Sequence, residues 1–103
     1  MKETQLLKGV LEGCVLQIIS EREIYGYELV QHLKGAGFTS IIAGTVYPLL
    51  QKLEKKGLVT TRFKQSPDGP DRKYFDITEA GQVYLLDFWR QWDDLVNKVS
   101  QLK

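Results

Sequence analysis

Sixteen residues, Gly44–Val59 (GTVYPLLQKLEKKGLV), constrain the fold of this chain most, because they specify a helix at both ends and lead directly into a pair of strands. Val46, Leu49, Leu50 and Leu53 recur at i, i+3, i+4 and i+7, which is one face of a 3.6-residue period. At about 100° per residue, Pro48, Gln51, Lys52 and Lys55 lie on the far side, with Thr45 and Tyr47 on the flanks. Pro48 lacks a backbone donor and its ring crowds the preceding turn, so the helix starts close by, around Ala43 to Thr45. Lys55 and Lys56 suit the negative end of the helix dipole, and Gly57 can take the left-handed cap.

Two strand-like runs follow. Leu58–Lys64 and Lys73–Ile77 are rich in β-branched and aromatic residues. Between them QSPDGPD contains Ser66, Pro67, Asp68, Gly69 and Pro70, all strong turn formers. The expectation is a two-stranded wing with a long tip, carrying Arg62, Lys64, Arg72 and Lys73 at its base.

Charge separates this region from the rest. Residues 43–73 carry Lys52, Lys55, Lys56, Arg62, Lys64, Arg72 and Lys73 against Glu54, Asp68 and Asp71, a local net of +4 in a chain whose total is +1. A lysine run on a helix is usually a solvated face. Concentration of the positive potential in one third of a near-neutral chain favours a polyanion instead, since phosphates reward it through counterion release. A helix with that charge split beside a basic hairpin fits the grooves and phosphates of duplex DNA.

At 103 residues the chain is expected to form one domain with an appended helix, and a core of that size gains from oligomerisation. The single Cys14 excludes an internal disulfide, fits a packed position better than a reactive thiol, and points to a reducing, cytoplasmic location. Lys8 and Glu12 interrupt the apolar N-terminus, so neither a signal peptide nor a membrane span is expected. Leu6, Leu7, Val10, Leu11, Cys14, Val15, Ile18 and Ile19 form a broad helical stripe closed by Glu21, Arg22 and Glu23, with Glu21 and Glu23 read as a helix-end charge pair. A second helix begins near Tyr25-Gly26-Tyr27 and stops at Gly35-Ala36-Gly37, with Tyr25 and Tyr27 expected to pack it against the third. Phe38–Ile42 is expected to be a short strand or an extended link. Thr78 caps a last helix of some two dozen residues. Along it Leu85, Phe88, Trp92, Leu95, Val99 and Leu102 are spaced 3, 4, 3, 4, 3, a heptad seam that Trp89 and Val96 widen. A seam that long needs a cover, most simply a second copy of the chain.

The order helix, helix, short strand, helix, wing is that of a winged helix-turn-helix, and particular residues sharpen it. Leu7-Lys8-Gly9-Val10-Leu11, Tyr25-Gly26-Tyr27-Glu28-Leu29, Gly44-Thr45-Val46-Tyr47-Pro48-Leu49-Leu50, Leu53-Glu54-Lys55-Lys56-Gly57-Leu58-Val59, Gly69-Pro70-Asp71-Arg72-Lys73-Tyr74-Phe75 and Ile77-Thr78-Glu79-Ala80-Gly81 together resemble the PadR family of bacterial transcriptional regulators, in its short form with one C-terminal helix. The resemblance covers nearly the whole chain. It implies a mainly α fold with a small β-hairpin wing (α+β), divided into a DNA-binding unit at 1–78 and a dimerisation helix at 79–103. It makes Ala43–Lys56 the recognition helix and Thr45, Tyr47 and Lys52 candidates for backbone or base contact, with Arg72 and Lys73 the family's basic pair on the wing. Pro48, Gln51, Lys55 and Lys64 complete the candidate DNA-binding set. The family dimerises through its last helix against the partner's first, which makes Leu7, Leu11, Leu85, Phe88, Trp92, Leu95, Val99 and Leu102 the candidate interface. Small members include regulators that hold flat aromatic drugs between paired tryptophans at the dimer axis, and Trp92 falls where that tryptophan is expected. The chain departs from the pattern in its acidic wing tip, Asp68 and Asp71, and in the second indole of Trp89.

Aromatics at helical spacing usually form core, yet Phe88, Trp89 and Trp92 lie close enough to leave a slot for a ligand. His32 is the only histidine, and no Gly-rich phosphate loop or metal-ligand spacing occurs, so neither enzyme activity nor a cofactor or metal is expected. Two functions remain. One is a homodimeric regulator binding a palindromic operator in double-stranded DNA, a repressor relieved by a small hydrophobic or aromatic effector. The other is a winged-helix module that binds protein through its seam and never touches DNA.

Overall fold

The computed structural model describes residues 1–103. It contains α1 (Glu3–Leu6), α2 (Leu11–Glu21), β1 (Ile24–Tyr25), α3 (Gly26–Gly35), α4 (Ala43–Lys55), β2 (Val59–Ser66), β3 (Gly69–Ile77) and α5 (Glu79–Ser100). The architecture is the expected helical fold with a small antiparallel sheet. The sheet has three strands in the order β1-β3-β2. The third strand is β1, which pairs Ile24 with Phe75 and Tyr25 with Tyr74. It precedes α3, whereas Phe38–Ile42, expected as a short strand or an extended link, is a link with no strand.

The N-terminal stripe is not one helix. Gly9 has φ +84°, a conformation open to glycine and costly for other residues, and it separates α1 from α2. Leu6 is left exposed, while Val15, Leu16, Ile18 and Ile19 enter the core. Val46, Leu50 and Leu53 of α4 meet them there, together with Leu29 and Leu33 of α3 and Phe75 of the sheet. Burying each such side chain contributes about 1.5–3 kcal/mol. Helix α4 starts at Ala43 and tolerates Pro48 as its sixth residue, losing only the bond to the carbonyl of Gly44. It ends at Gly57, in the left-handed conformation with φ +75°.

The wing is longer and its tip tighter than the turn-former count implied. Gln65, Ser66 and Gly69–Asp71 join the strands, leaving only Pro67 and Asp68 as the turn. Pairing runs from Val59 with Ile77 to Lys64 with Arg72, then slips so that Pro70 and Asp71 oppose Gln65. That bulge accommodates a proline that has no ladder donor to offer.

Thr78 caps α5 as expected, its Oγ1 accepting from the Gly81 N–H at 3.0 Å. The 22 residues of α5 reach about 33 Å. Only the first turns touch the domain: Leu85 is buried against α2 at 7% exposure, and every residue from Arg90 to Ser100 is exposed. Leu85 is therefore a core residue of its own protomer, a correction to its expected place on the dimer seam. No helix is long and apolar enough to cross a membrane.

Candidate nucleic-acid interface

Helix α4 turns its apolar stripe inward, which leaves Pro48, Gln51, Lys52 and Lys55 outward as the period requires. Those four residues, with Glu54 and Lys73 of β3, line one open groove that contains no hydrophobic residue. A second groove continues it, where Tyr47 and Gln51 face Arg72, Lys73 and Tyr25. Thr45 lies beside neither: it lines the cleft between α4 and the N-terminal turn, with Leu7, Leu11 and Lys52. The start of α4 has no side-chain cap and no acidic residue in its first turn, so its free N–H groups and dipole are available to an anion.

Strand alternation sorts the wing cations onto two faces. Lys73 bonds Glu54 of α4 at 3.1 Å, and Thr61 bonds the same carboxylate at 3.0 Å, which marks the face toward the helix. Arg62, Lys64 and Arg72 lie on the opposite face. There Tyr25 and Tyr74 meet edge to face at 5.4 Å, Arg72 stacks over Tyr25 at 4.5 Å and Lys64 over Tyr74 at 4.6 Å. The structure thus sets Pro48, Gln51, Lys52, Lys55 and Lys73 around one groove, sets Tyr47, Gln51, Lys73 and Arg72 around the second where Arg72 reaches the sheet edge, and leaves Arg62 and Lys64 on the outer sheet face. Tyr27, expected to pack between helices, is 61% exposed; Tyr25 packs against the wing instead.

Carboxylates hold most of these cations, which the charge count could not reveal. Glu12 of α2 accepts from Lys56 at 3.0 Å, from the Tyr84 hydroxyl at 2.8 Å, and lies 3.6 Å from Lys52. Burial pushes the Glu12 carboxyl up, but the bonds from Tyr84 and Lys56 and the two lysine charges outweigh it and hold it below its ordinary range. Lys56 rises in return, chiefly through its bond to Glu12. The Glu54 carboxyl is lowered mainly by Lys73 and then by Thr61. Glu23 accepts from Arg62 and Lys64, so it partners the wing rather than Glu21 at the helix end. The sequence does not reveal these ion pairs because their partners lie 19 to 44 residues apart.

The aromatic cluster of α5 divides. Phe88 and Trp89 pack partly buried on the core, ring centroids 5.0 Å apart, and the Trp89 indole N–H donates to Gln17 of the same protomer at 2.8 Å. Trp92 is 36% exposed and Leu95 50% exposed, with Val96, Val99 and Leu102 continuing the open seam. Phe88, Trp92 and Leu95 line a groove of about 280 Å³ with Val10 and Gly9.

Known proteins share the sequence pattern and the fold. Residues 15–87 match the model of the transcriptional regulator PadR-like family. The fold is similar to a crystal structure of a Streptococcus transcriptional regulator, 59% identical over 97% of this chain and 98% of that one, with a TM-score of 0.87. A PadR-like transcriptional regulator from Bacillus cereus is 46% identical over 95% of both chains, with a TM-score of 0.86. PadR of Bacillus subtilis, solved in complex with operator DNA, is 27% identical over 78% of this chain and 46% of its own, with a TM-score of 0.71. The chain belongs to the PadR-like family of transcriptional regulators.

Proposed function

We propose that this protein is a homodimeric, sequence-specific DNA-binding regulator, a repressor whose grip on a palindromic operator is relieved by a small aromatic effector. The observation that carries this reading is the polar groove between α4 and the wing, where Lys52, Lys55 and Lys73 outnumber Glu54 beside Pro48 and Gln51. Lys52, Lys55 and Arg72 supply charge to phosphates, while Gln51 and Tyr47 offer hydrogen bonds to base edges. The Bacillus subtilis relative bound to operator DNA supports the same use of the fold.

The exposed half of α5 supports dimerisation. Trp92, Leu95, Val96 and Val99 form an apolar stripe on a helix that leaves its own domain, and a second protomer covers it by two-fold symmetry. Two recognition helices then enter successive major grooves about 34–36 Å apart. An effector seated beside Trp92 and Phe88 changes that spacing only if it binds one arrangement of the two heads more tightly than the other.

Titration of a labelled duplex from the DNA upstream of the protein's own gene, at several salt concentrations, tests the reading. Affinity that falls steeply with salt is expected. A protein module that never touches DNA shows no duplex binding at any salt, and that result overturns the proposal.

A further inference from the structure

We propose that Glu23 is a specificity-determining residue of the DNA face, an internal stand-in for phosphate that keeps Arg62 and Lys64 off a duplex whose phosphates are not placed to replace it. This rests on the DNA-binding reading above. Glu23 lies in the short link between α2 and β1, on the same face as Tyr25 two residues on. Its carboxylate accepts from Arg62 Nε at 2.9 Å and Nη2 at 2.7 Å, and from Lys64 Nζ as a third donor. A planar fork on two oxygens is the arrangement by which a guanidinium also binds phosphate, so the two acceptors compete for one donor set.

The outer-face strip that Glu23 partly neutralises, one carboxylate against two cations, meets the groove beside α4 at Arg72. Lys64 pairs in register with Arg72, and Arg72 lines the groove with Tyr47 and Gln51. Arg62 is 66% exposed despite its ion pair, so its guanidinium is reachable from solvent. The bond from Arg62, seconded by Lys64, pulls the Glu23 carboxyl down to about 2, so it stays ionised at any working pH. A cation held by a carboxylate neutralises a phosphate, and so displaces the cations condensed on the duplex, only after giving up that carboxylate, and it therefore adds less to sequence-independent binding. Exchange of Glu23 for phosphate is favourable only where the duplex presents phosphates at both cations together. That requirement raises the ratio of operator to random-site affinity.

The test uses the full chain, a labelled mixed-sequence duplex and the upstream duplex, titrated between about 50 and 200 mM salt. Glu23→Gln is expected to tighten mixed-sequence binding and to steepen its log–log salt slope by up to about 0.9, for the one net positive charge that loss of the carboxylate adds. The mutant-to-wild-type affinity ratio then shrinks by up to about 3.5-fold across that salt range. Binding to the upstream duplex is expected to change less. Arg62→Gln is expected to matter little to wild-type DNA affinity and to reverse much of the gain in the Glu23→Gln background, a coupling in affinity that is read apart from the coupling in stability any ion pair shows. Wild-type and variant unfolding midpoints check that both are folded. A wild type that binds duplex with a salt slope, while Glu23→Gln binds mixed sequence no more tightly and Arg62→Gln acts equally in both backgrounds, overturns the role of Glu23 and leaves DNA binding standing. A wild type that binds no duplex overturns both.

Discussion

Two glycines in the first turns of two helices are expected to respond oppositely to the same substitution. A Cβ on Gly81 of α5 would sit 2.1 Å from the Leu58 carbonyl oxygen and 2.7 Å from Ile77 Cγ1. Reaching an ordinary contact of about 3.5 Å requires the start of α5 to retreat by about 1.4 Å. The obstacle is backbone, and it is not free to yield: the Leu58 oxygen accepts from the Thr78 N–H at 3.1 Å, next to the cap of α5. Overpacking of this kind costs about 1–3 kcal/mol, against a helix-propensity gain from alanine of about 0.5–1 kcal/mol. The collision outweighs the gain over most of that range, and a net loss of up to about 2.5 kcal/mol lowers the melting temperature by up to about 20 °C for a chain near this length. Gly44 of α4 has only the Ile42 side chain nearby, at 3.6 Å, so Gly44→Ala meets no collision and keeps the propensity gain. Thermal unfolding of both variants and the wild type at one protomer concentration makes the comparison, since a dimer's midpoint depends on concentration. A Gly81→Ala protein as stable as the wild type, or a Gly44→Ala protein destabilised equally, refutes the packing of α5 on the Leu58 backbone. Because α5 carries the exposed seam, folded Gly81→Ala protein is also expected to bind DNA less tightly.

Four further outcomes are expected. Lys52→Ala and Arg72→Ala weaken binding to all duplexes and shallow the salt slope by about one unit each, and unchanged slopes in both remove this face from the interface. Leu95→Asp, a charge in the middle of the α5 stripe, yields monomers or unfolded protein in sedimentation velocity, whereas a wild type that is itself a folded monomer at micromolar concentration sinks the dimer. A planar aromatic compound quenches tryptophan fluorescence, Trp92→Ala abolishes the response while DNA binding persists, and a quench that survives in Trp92→Ala moves the site elsewhere. The folded-state depression of Glu23 to about 2 means its contribution is present above the ordinary carboxylate pKa and lost as pH falls toward 2. Acid titration of stability therefore shows a steeper loss between about pH 5 and 2 in the wild type than in Glu23→Gln, and parallel curves contradict the ion pair.

What the sequence determined by itself are the features with local causes. The apolar period of Val46, Leu49, Leu50 and Leu53, the left-handed Gly57 and the Thr78 cap each depend on residues within one or two turns, and α4 and the start of α5 lie where those signals put them. The basic character of residues 43–73 is likewise a property of composition. Tertiary structure decided the rest, because the partners are distant in sequence. Two residues are too few to show a strand period, and Ile24-Tyr25 become β1 only because Phe75 and Tyr74 offer them a ladder. Leu85 and Leu95 occupy the same heptad seam, yet Leu85 is core and Leu95 open, since α2 covers the first half of α5 and ends before the second. Trp89 differs from Trp92 through one bond to Gln17, 72 residues away. Glu12, Glu23 and Glu54 become counterions of Lys56, Lys64 and Lys73 only when folding brings the partners together, and a Coulomb interaction depends on distance in space, not along the chain.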